Sequence, residues 1–199
     1  MSQSVEFFFD VGSPASYLAW CRLPRICEEA GAALEYRPML LGGVFQATGN
    51  QSPTTIPAKG QYIMADLARF AQRDRIPFIH NPFFPINTLT LMRGAAGLQM
   101  RDPSRLVPYV DAVYRAIWVE GRNMNEPAIV AAVLQQAGFE PQTLPALAAD
   151  PEVKERLKTV TQEAVARGVF GAPTFFVGEQ MYWGQDRLDF VKQALEDKT

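Results

Sequence analysis

The sequence holds few of the residues from which reactive centres are most often built. Among its 199 residues are two cysteines, Cys21 and Cys27, too few for a disulfide scaffold or a zinc ribbon, so no metal is expected. Charge of one sign is also missing: 19 basic against 21 acidic residues leave a formal net charge of -2. That balance excludes a polyanion-binding surface spread over the whole molecule, and no nucleic-acid partner is expected. No hydrophobic run approaches the roughly 20 residues of a membrane helix. The opening residues lack the basic flank and small-residue cleavage site of a secretory signal, so the expectation is a cytoplasmic protein with no membrane partner. What is present is 48% hydrophobic and 20% charged, enough to bury roughly two-thirds or more of the unfolded surface in one core. Proline is the excess, fifteen in all.

The chain opens with Val5, Glu6, Phe7, Phe8, Phe9 and Asp10, an aromatic and β-branched run of the kind that forms a buried strand. Gly12, Ser13 and Pro14 follow. Ser13 can cap a helix and Pro14 suits its first position, where a missing N–H costs nothing. The spacing predicts a helix over 14–30, ended by Gly31 and kinked at Pro24, and then a strand over 33–40. Residues 42–57 turn to Gly, Asn, Gln, Thr and Pro and predict a long polar loop. Helices are expected over 58–75, 88–100, 103–120, 126–137 and 151–167, with an irregular segment over 77–87. The tail reverts to strand character over 173–177 and 181–183, a hairpin, before a last amphipathic helix to about residue 196.

The order β-α-β, helices, β-β-α predicts an α/β fold. It is a thioredoxin-like domain formed by 1–41 and 169–199, with an all-helical domain inserted at 42–168. In such a fold the start of the first helix carries the chemistry, because its unpaired N–H groups and dipole favour a negative charge. A redox enzyme would place Cys-x-x-Cys there. This chain has Ser13, Pro14, Ala15 and Ser16, which argues against a disulfide oxidoreductase. Cys21 and Cys27 lie six residues apart inside the helix and point about 120° from each other. They read as packed or half-buried free thiols. A place built for a thiolate, with no thiol of its own, suggests one brought by a cofactor, and glutathione is the candidate. Ser13 would then donate its hydroxyl to the glutathione sulfur. Each residue also has a plainer reading: Ser13 as a cap, Pro173 as a trans proline opening an edge strand, Asn50 as a turn residue, Lys59 as a solvated lysine, Asp186 as an N-cap.

Together the motifs resemble a family. Phe9-Asp10-x-x-Ser13-Pro14-x-Ser16-Tyr17-Leu18, Arg37-Pro38-x-Leu40-Leu41, Gly49-Asn50-Gln51-x-Pro53, Lys59-Gly60-Gln61-Tyr62, Gly171-x-Pro173-Thr174 and Gly184-x-Asp186-Arg187 resemble, in order and spacing, the kappa-class glutathione transferases and the related 2-hydroxychromene-2-carboxylate isomerases. The resemblance implies that Ser13 activates the glutathione sulfur and that Asn50 and Lys59 hold the tripeptide, Lys59 through a carboxylate. It implies that Ala172, before a cis Pro173, pairs its backbone with the cysteinyl part, and that Asp186 takes the γ-glutamyl ammonium. Gln185 stands where a serine occurs in the family. A homodimer is implied, with the second substrate, a small aromatic or electrophilic molecule, bound by the helical insertion.

Two reactions share this scaffold. One is the isomerisation of 2-hydroxychromene-2-carboxylate to trans-o-hydroxybenzylidenepyruvate, a step in aromatic catabolism, with glutathione used and regenerated. The other is conjugation of electrophiles or reduction of peroxides. The isomerase is the first expectation. A non-catalytic peptide-binding module is the reading from outside the class, and the set Ser13, Asn50, Lys59 and Asp186 argues against it. For the acceptor pocket the sequence offers Phe83, Phe84 and Asn87, with Arg37 or Arg93 as the cation for a substrate carboxylate. Tyr114 and Trp118, four residues apart on one helix face, fit a core better than a pocket.

Overall fold

In the computed structural model, which describes residues 3–197, the opening aromatic run forms an interior strand of a four-stranded sheet. This strand, β1 (Ser4–Phe9), is followed by α1 (Pro14–Ala30) and β2 (Ala33–Pro38). β2 pairs parallel to β1, as the β-α-β order predicts. At the other end of the chain β3 (Thr174–Val177) and β4 (Gln180–Trp183) form the expected hairpin, and β3 pairs antiparallel to β1, giving the order β2-β1-β3-β4. The chain then runs through a short turn into α9 (Leu188–Glu196).

Seven helices connect the two halves: α2 (Leu41–Thr48), α3 (Pro57–Asp74), α4 (Leu89–Arg101), α5 (Leu106–Trp118), α6 (Pro127–Gln136), α7 (Thr143–Ala149) and α8 (Pro151–Ala166). No described residue between β2 and β3 lies in a strand, which is the mixed α/β architecture expected. No described helix is long and apolar enough to cross a membrane.

Strand alternation sorts the aromatics onto two faces. Phe7 faces Phe175 across the β1–β3 pair, with ring centroids 5.2 Å apart, and with Val5 and Phe9 it packs against α1 and α9. The same core runs on into α4 and α5 through Met92, Val113, Tyr114 and Trp118. Phe8 and Phe176 point the other way, onto Val44 of α2 and Val160 and Ala164 of α8. Phe7, Phe8 and Phe9 are all fully buried, each contributing about 1.5–3 kcal/mol of transfer free energy. The second face is therefore covered by two helices of the inserted stretch.

Two elements, α2 and α7, differ from the sequence expectation. The loop expected at 42–57 folds in its first half as α2. Its missing local cap is replaced by tertiary ones: the Leu41 N–H donates to the Asp10 carboxylate at 2.8 Å and the Leu40 N–H to the Thr161 hydroxyl at 3.0 Å. Gly43, a loop signal in the sequence, lets α2 approach α8, since a Cβ there would lie 3.2 Å from Thr161 Cγ2. The short helix α7 carries no capping residue that would announce it. α1 has the expected span, running through Pro24, which withdraws one N–H from the ladder, to the Gly31 cap.

Candidate active site

The candidate site starts where β1 ends. Asp10 is buried, and its carboxylate accepts from the Gly12 N–H at 2.9 Å, the Leu41 N–H at 2.8 Å and the Thr88 hydroxyl at 3.0 Å. Burial raises its pKa, and the three donors oppose that rise. One side chain thus ties the strand end, the start of α2 and the approach to α4 into a knot. Gly12 has to be small here, because a Cβ would lie 2.8 Å from Thr88 Cγ2. Val11 is gripped from two sides. Its N–H meets the Met92 sulfur at 3.4 Å and its carbonyl accepts from the Trp118 indole at 3.0 Å.

Ser13 follows as the N-cap of α1, its hydroxyl accepting from the Ser16 N–H at 3.1 Å, with Pro14 opening the helix. No acidic residue sits in the first turn of α1, so no carboxylate of that turn offsets its positive end. The same hydroxyl donates to the carbonyl of Ala172 at 3.0 Å. The Ala172–Pro173 peptide is cis, as is Phe84–Pro85.

The opposite wall is built from the turn before β3 and the end of β4. Trp183 packs its ring against Phe170, centroids 5.0 Å apart, and lies over Gly171, where a Cβ would come within 2.6 Å of the indole nitrogen. Asn50 donates to the Phe170 carbonyl at 2.8 Å and accepts from the Gln51 N–H, so it pins its loop to this wall. Gln185 is buried, and both its carbonyl groups accept from Arg22 at 3.1 Å, while Arg22 is held by Asp74 at 3.1 Å. The Gln185 amide nitrogen takes part in no described hydrogen bond. Asp186 is half-exposed and pairs with Arg187 at 2.6 Å.

These walls enclose a cavity of about 320 Å³ lined by Ser13, Asn50, Ala172, Gln185 and Asp186, with an apolar half made by Phe45, Ile63, Met64, Leu67, Phe70 and Phe84. Five of the seven site residues expected from sequence therefore meet. Pro173 stands behind Ala172, outside the lining. Lys59 is also outside it, exposed in the first turn of α3 and one turn from Ile63 on the same helix face.

Of the acceptor-pocket candidates, Phe84 lines the cavity, Phe83 is exposed, and Asn87 borders a separate cavity beside α6. Tyr114 and Trp118 are core. Neither proposed cation is there. Arg37 is engaged by Glu6 at 3.2 Å and Glu163 at 2.5 Å, and Arg93 lines a different cleft across α2. No Lys or Arg is among the described lining residues. Both cysteines are free, Cys27 buried and Cys21 exposed. Burial pushes the Cys27 thiol up to about 11 and raises Cys21 as well.

The sequence reading missed the structural part of Asp10, the cavity wall made by α2 and the Trp183 cover. A signal for Asp10 existed: it is a lone carboxylate closing an apolar strand just before a helix cap.

The family model of the DSBA-like thioredoxin domain matches residues 4–196. A 2-hydroxychromene-2-carboxylate isomerase of Sphingobium xenophagum is 32% identical over 99% of this chain and 100% of that protein. The human glutathione S-transferase kappa 1 is 29% identical over 100% of this chain and 93% of its own length. A solved structure of a 2-hydroxychromene-2-carboxylate isomerase superposes with a TM-score of 0.85 at 31% identity, covering 97% of this chain and 94% of that one.

Proposed function

The chain belongs to the DSBA-like thioredoxin domain family, and from that premise we propose that it is a glutathione-dependent 2-hydroxychromene-2-carboxylate isomerase. It is an enzyme of this family, as its isomerase and kappa transferase relatives are. The observation that carries the reading is Ser13. A hydroxyl stands where a redox member would carry a cysteine, at the uncompensated start of α1 and 3.0 Å from the Ala172 carbonyl.

The residues present suit glutathione. A hydroxyl can turn toward a sulfur, a backbone carbonyl faces the same cavity, a carboxylate lies at the Asp186 end, and a cation, Lys59, stands one turn beyond the rim. Bound there, glutathione supplies a thiolate that adds reversibly to a conjugated carbon, making a double bond rotatable before elimination restores it. The part of the chain is to hold that sulfur ionised. A hydrogen bond from Ser13 to a charged atom contributes about 1.5–3 kcal/mol, and the helix terminus about 0.3–1 kcal/mol more. Each 1.36 kcal/mol is tenfold in ionisation, so a thiol held there would ionise at a lower pH than it does in water. Ser13 has one proton, now given to Ala172. Turning it to sulfur would free the Ala172 carbonyl to accept the cysteinyl N–H of a bound glutathione. Asn50 and Gln185 fix the walls, and the apolar half beside Ser13 excludes water from the reacting carbon.

The absence of Lys and Arg from the lining favours a second reading, transfer of glutathione to neutral electrophiles. Ultraviolet spectra of 2-hydroxychromene-2-carboxylate with catalytic glutathione separate the two. Equilibration to the open-chain product with no glutathione consumed supports the isomerase. Inertness toward that substrate, with stoichiometric conjugation of a halogenated nitroarene, replaces it with the transferase. We further take the protein to be a cytoplasmic homodimer. Ile56, Tyr62, Trp183 and Phe190 are large apolar side chains left exposed, and sedimentation of a monomer at micromolar concentration would refute the dimer.

A further inference from the structure

A second cleft is larger than the one at Ser13. It lies on the other side of α2, between α4 and α8, and has a volume of about 730 Å³, well inside the range of small-molecule sites. Its walls include the apolar side chains of Leu40, Leu89 and Leu157, and its charged groups are mostly cationic: Arg93 from α4, and Lys154 and Lys158 from α8, against Glu155. The carboxylate in the lining, Glu155, is already bonded to Lys158. No described carboxylate lies within ion-pair distance of Arg93 or Lys154 in the structure. Arg93 is half-buried beside the buried residues Met92 and Gly94, so the stem of its side chain lies against the cleft wall while its charge has no described counter-ion.

An apolar cleft with an excess of unpaired cations is complementary to one class of molecule. We propose that this cleft is a second ligand site, separate from the Ser13 cavity, and that it takes a small amphipathic monocarboxylate. The carboxylate is received by Arg93 and Lys154, with the hydrocarbon body against the leucines. Arg93 offers a planar fork that matches both carboxylate oxygens, and Lys154 adds a point charge.

The two sites share a wall. Leu41 and Phe45 of α2 face the Ser13 cavity, while Gly43, Gln46 and Ala47 face the cleft. The start of α2 is held on one side by Asp10 and on the other by Thr161, itself in the cleft lining. A ligand in the cleft therefore touches the element that Asp10 anchors beside Ser13.

The test uses decanoate, with its neutral counterpart decanamide, followed by calorimetry on the full chain. Decanoate is expected to saturate one site with a dissociation constant below about 1 mM, in the presence or absence of glutathione. R93Q/K154Q, with its fold checked by circular dichroism, is expected to weaken binding at least tenfold, and decanamide to bind the native protein correspondingly less well. S13A is expected to leave decanoate binding unchanged. No saturation, equal binding of decanamide, or indifference to R93Q/K154Q overturns the proposal. Displacement by glutathione would put the ligand in the Ser13 cavity and overturn it too. Decanoate affinity that falls as the protein is concentrated, with a doubling of the sedimenting mass, would give the cleft to a second copy of the chain instead. None of these readouts depends on the reaction catalysed at Ser13.

Discussion

Ser13 and Ala172, 159 residues apart in sequence, are joined by a 3.0 Å hydrogen bond from hydroxyl to carbonyl. The bond joins two walls of the candidate site, and under the proposed function its proton is the one a bound sulfur would claim. Ser13→Ala removes it. Turnover is expected to fall roughly ten- to a hundredfold, the worth of a hydrogen bond to an ion, with glutathione affinity nearly unchanged. Steady-state kinetics and calorimetry check the split. Loss of the α1 cap adds about 1 kcal/mol of destabilisation, visible in a urea midpoint.

Asp10 sets a pH dependence of stability. Its folded pKa is raised by burial, so between the ordinary carboxylate value and that raised value the folded state binds more protons than the unfolded one. Stability is then greatest below this window and falls as pH rises through it. Asp10→Asn should flatten the fall that sets in as pH rises above the ordinary carboxylate range, measured by urea unfolding at several pH values. The variant should also be less stable at neutral pH, because one amide oxygen cannot accept for Gly12, Leu41 and Thr88 together; an orphaned N–H costs about 1–3 kcal/mol. A pH slope identical to that of the native protein would remove Asp10 as the titrating group.

Gly171→Ala tests the Trp183 cover. The new Cβ would lie 2.6 Å from the indole nitrogen, and Trp183, itself half-exposed, must swing away. The expected result is a several-fold rise in KM for glutathione with a melting temperature close to the native one. An unaltered KM would mean that the ring contributes nothing to binding.

Alkylation tests whether the reactive sulfur comes from outside the chain. With Cys27 buried near pKa 11 and Cys21 raised, neither thiol is ionised at pH 7, and only the thiolate reacts. Iodoacetamide should leave glutathione-dependent turnover intact after removal of the reagent. Inactivation in step with Cys21 modification would return the chemistry to the chain's own sulfur.

The parts of the fold legible in the sequence are those with local causes. Ser13 and Pro14 start a helix whatever surrounds them, and alternation fixes which of Phe7, Phe8 and Phe9 share a face. Their convergence with Ala172, Gln185 and Asp186 follows from the strand order. What the sequence hid was tertiary. The caps of α2 come from Asp10 and Thr161, more than thirty and a hundred positions away, so its glycines looked like loop. Arg37, one of the two arginines considered for a substrate carboxylate, is drawn away from the site for a similar reason. A long side chain's partner is set by packing, and Glu6 and Glu163 claim Arg37 from two elements.

Val11 gives the inserted helices a part that an architectural description of them as an insertion conceals. Both of its backbone polar groups are satisfied from within that stretch, by Met92 of α4 and Trp118 of α5. Cutting out the helices and rejoining the sheet would leave a bare carbonyl and amide one residue before Gly12, in the loop that delivers Ser13. A chimera that exchanges helical inserts between relatives must therefore keep a donor and an acceptor at these two heights, or the transplanted pocket will arrive beside a serine that has lost its aim.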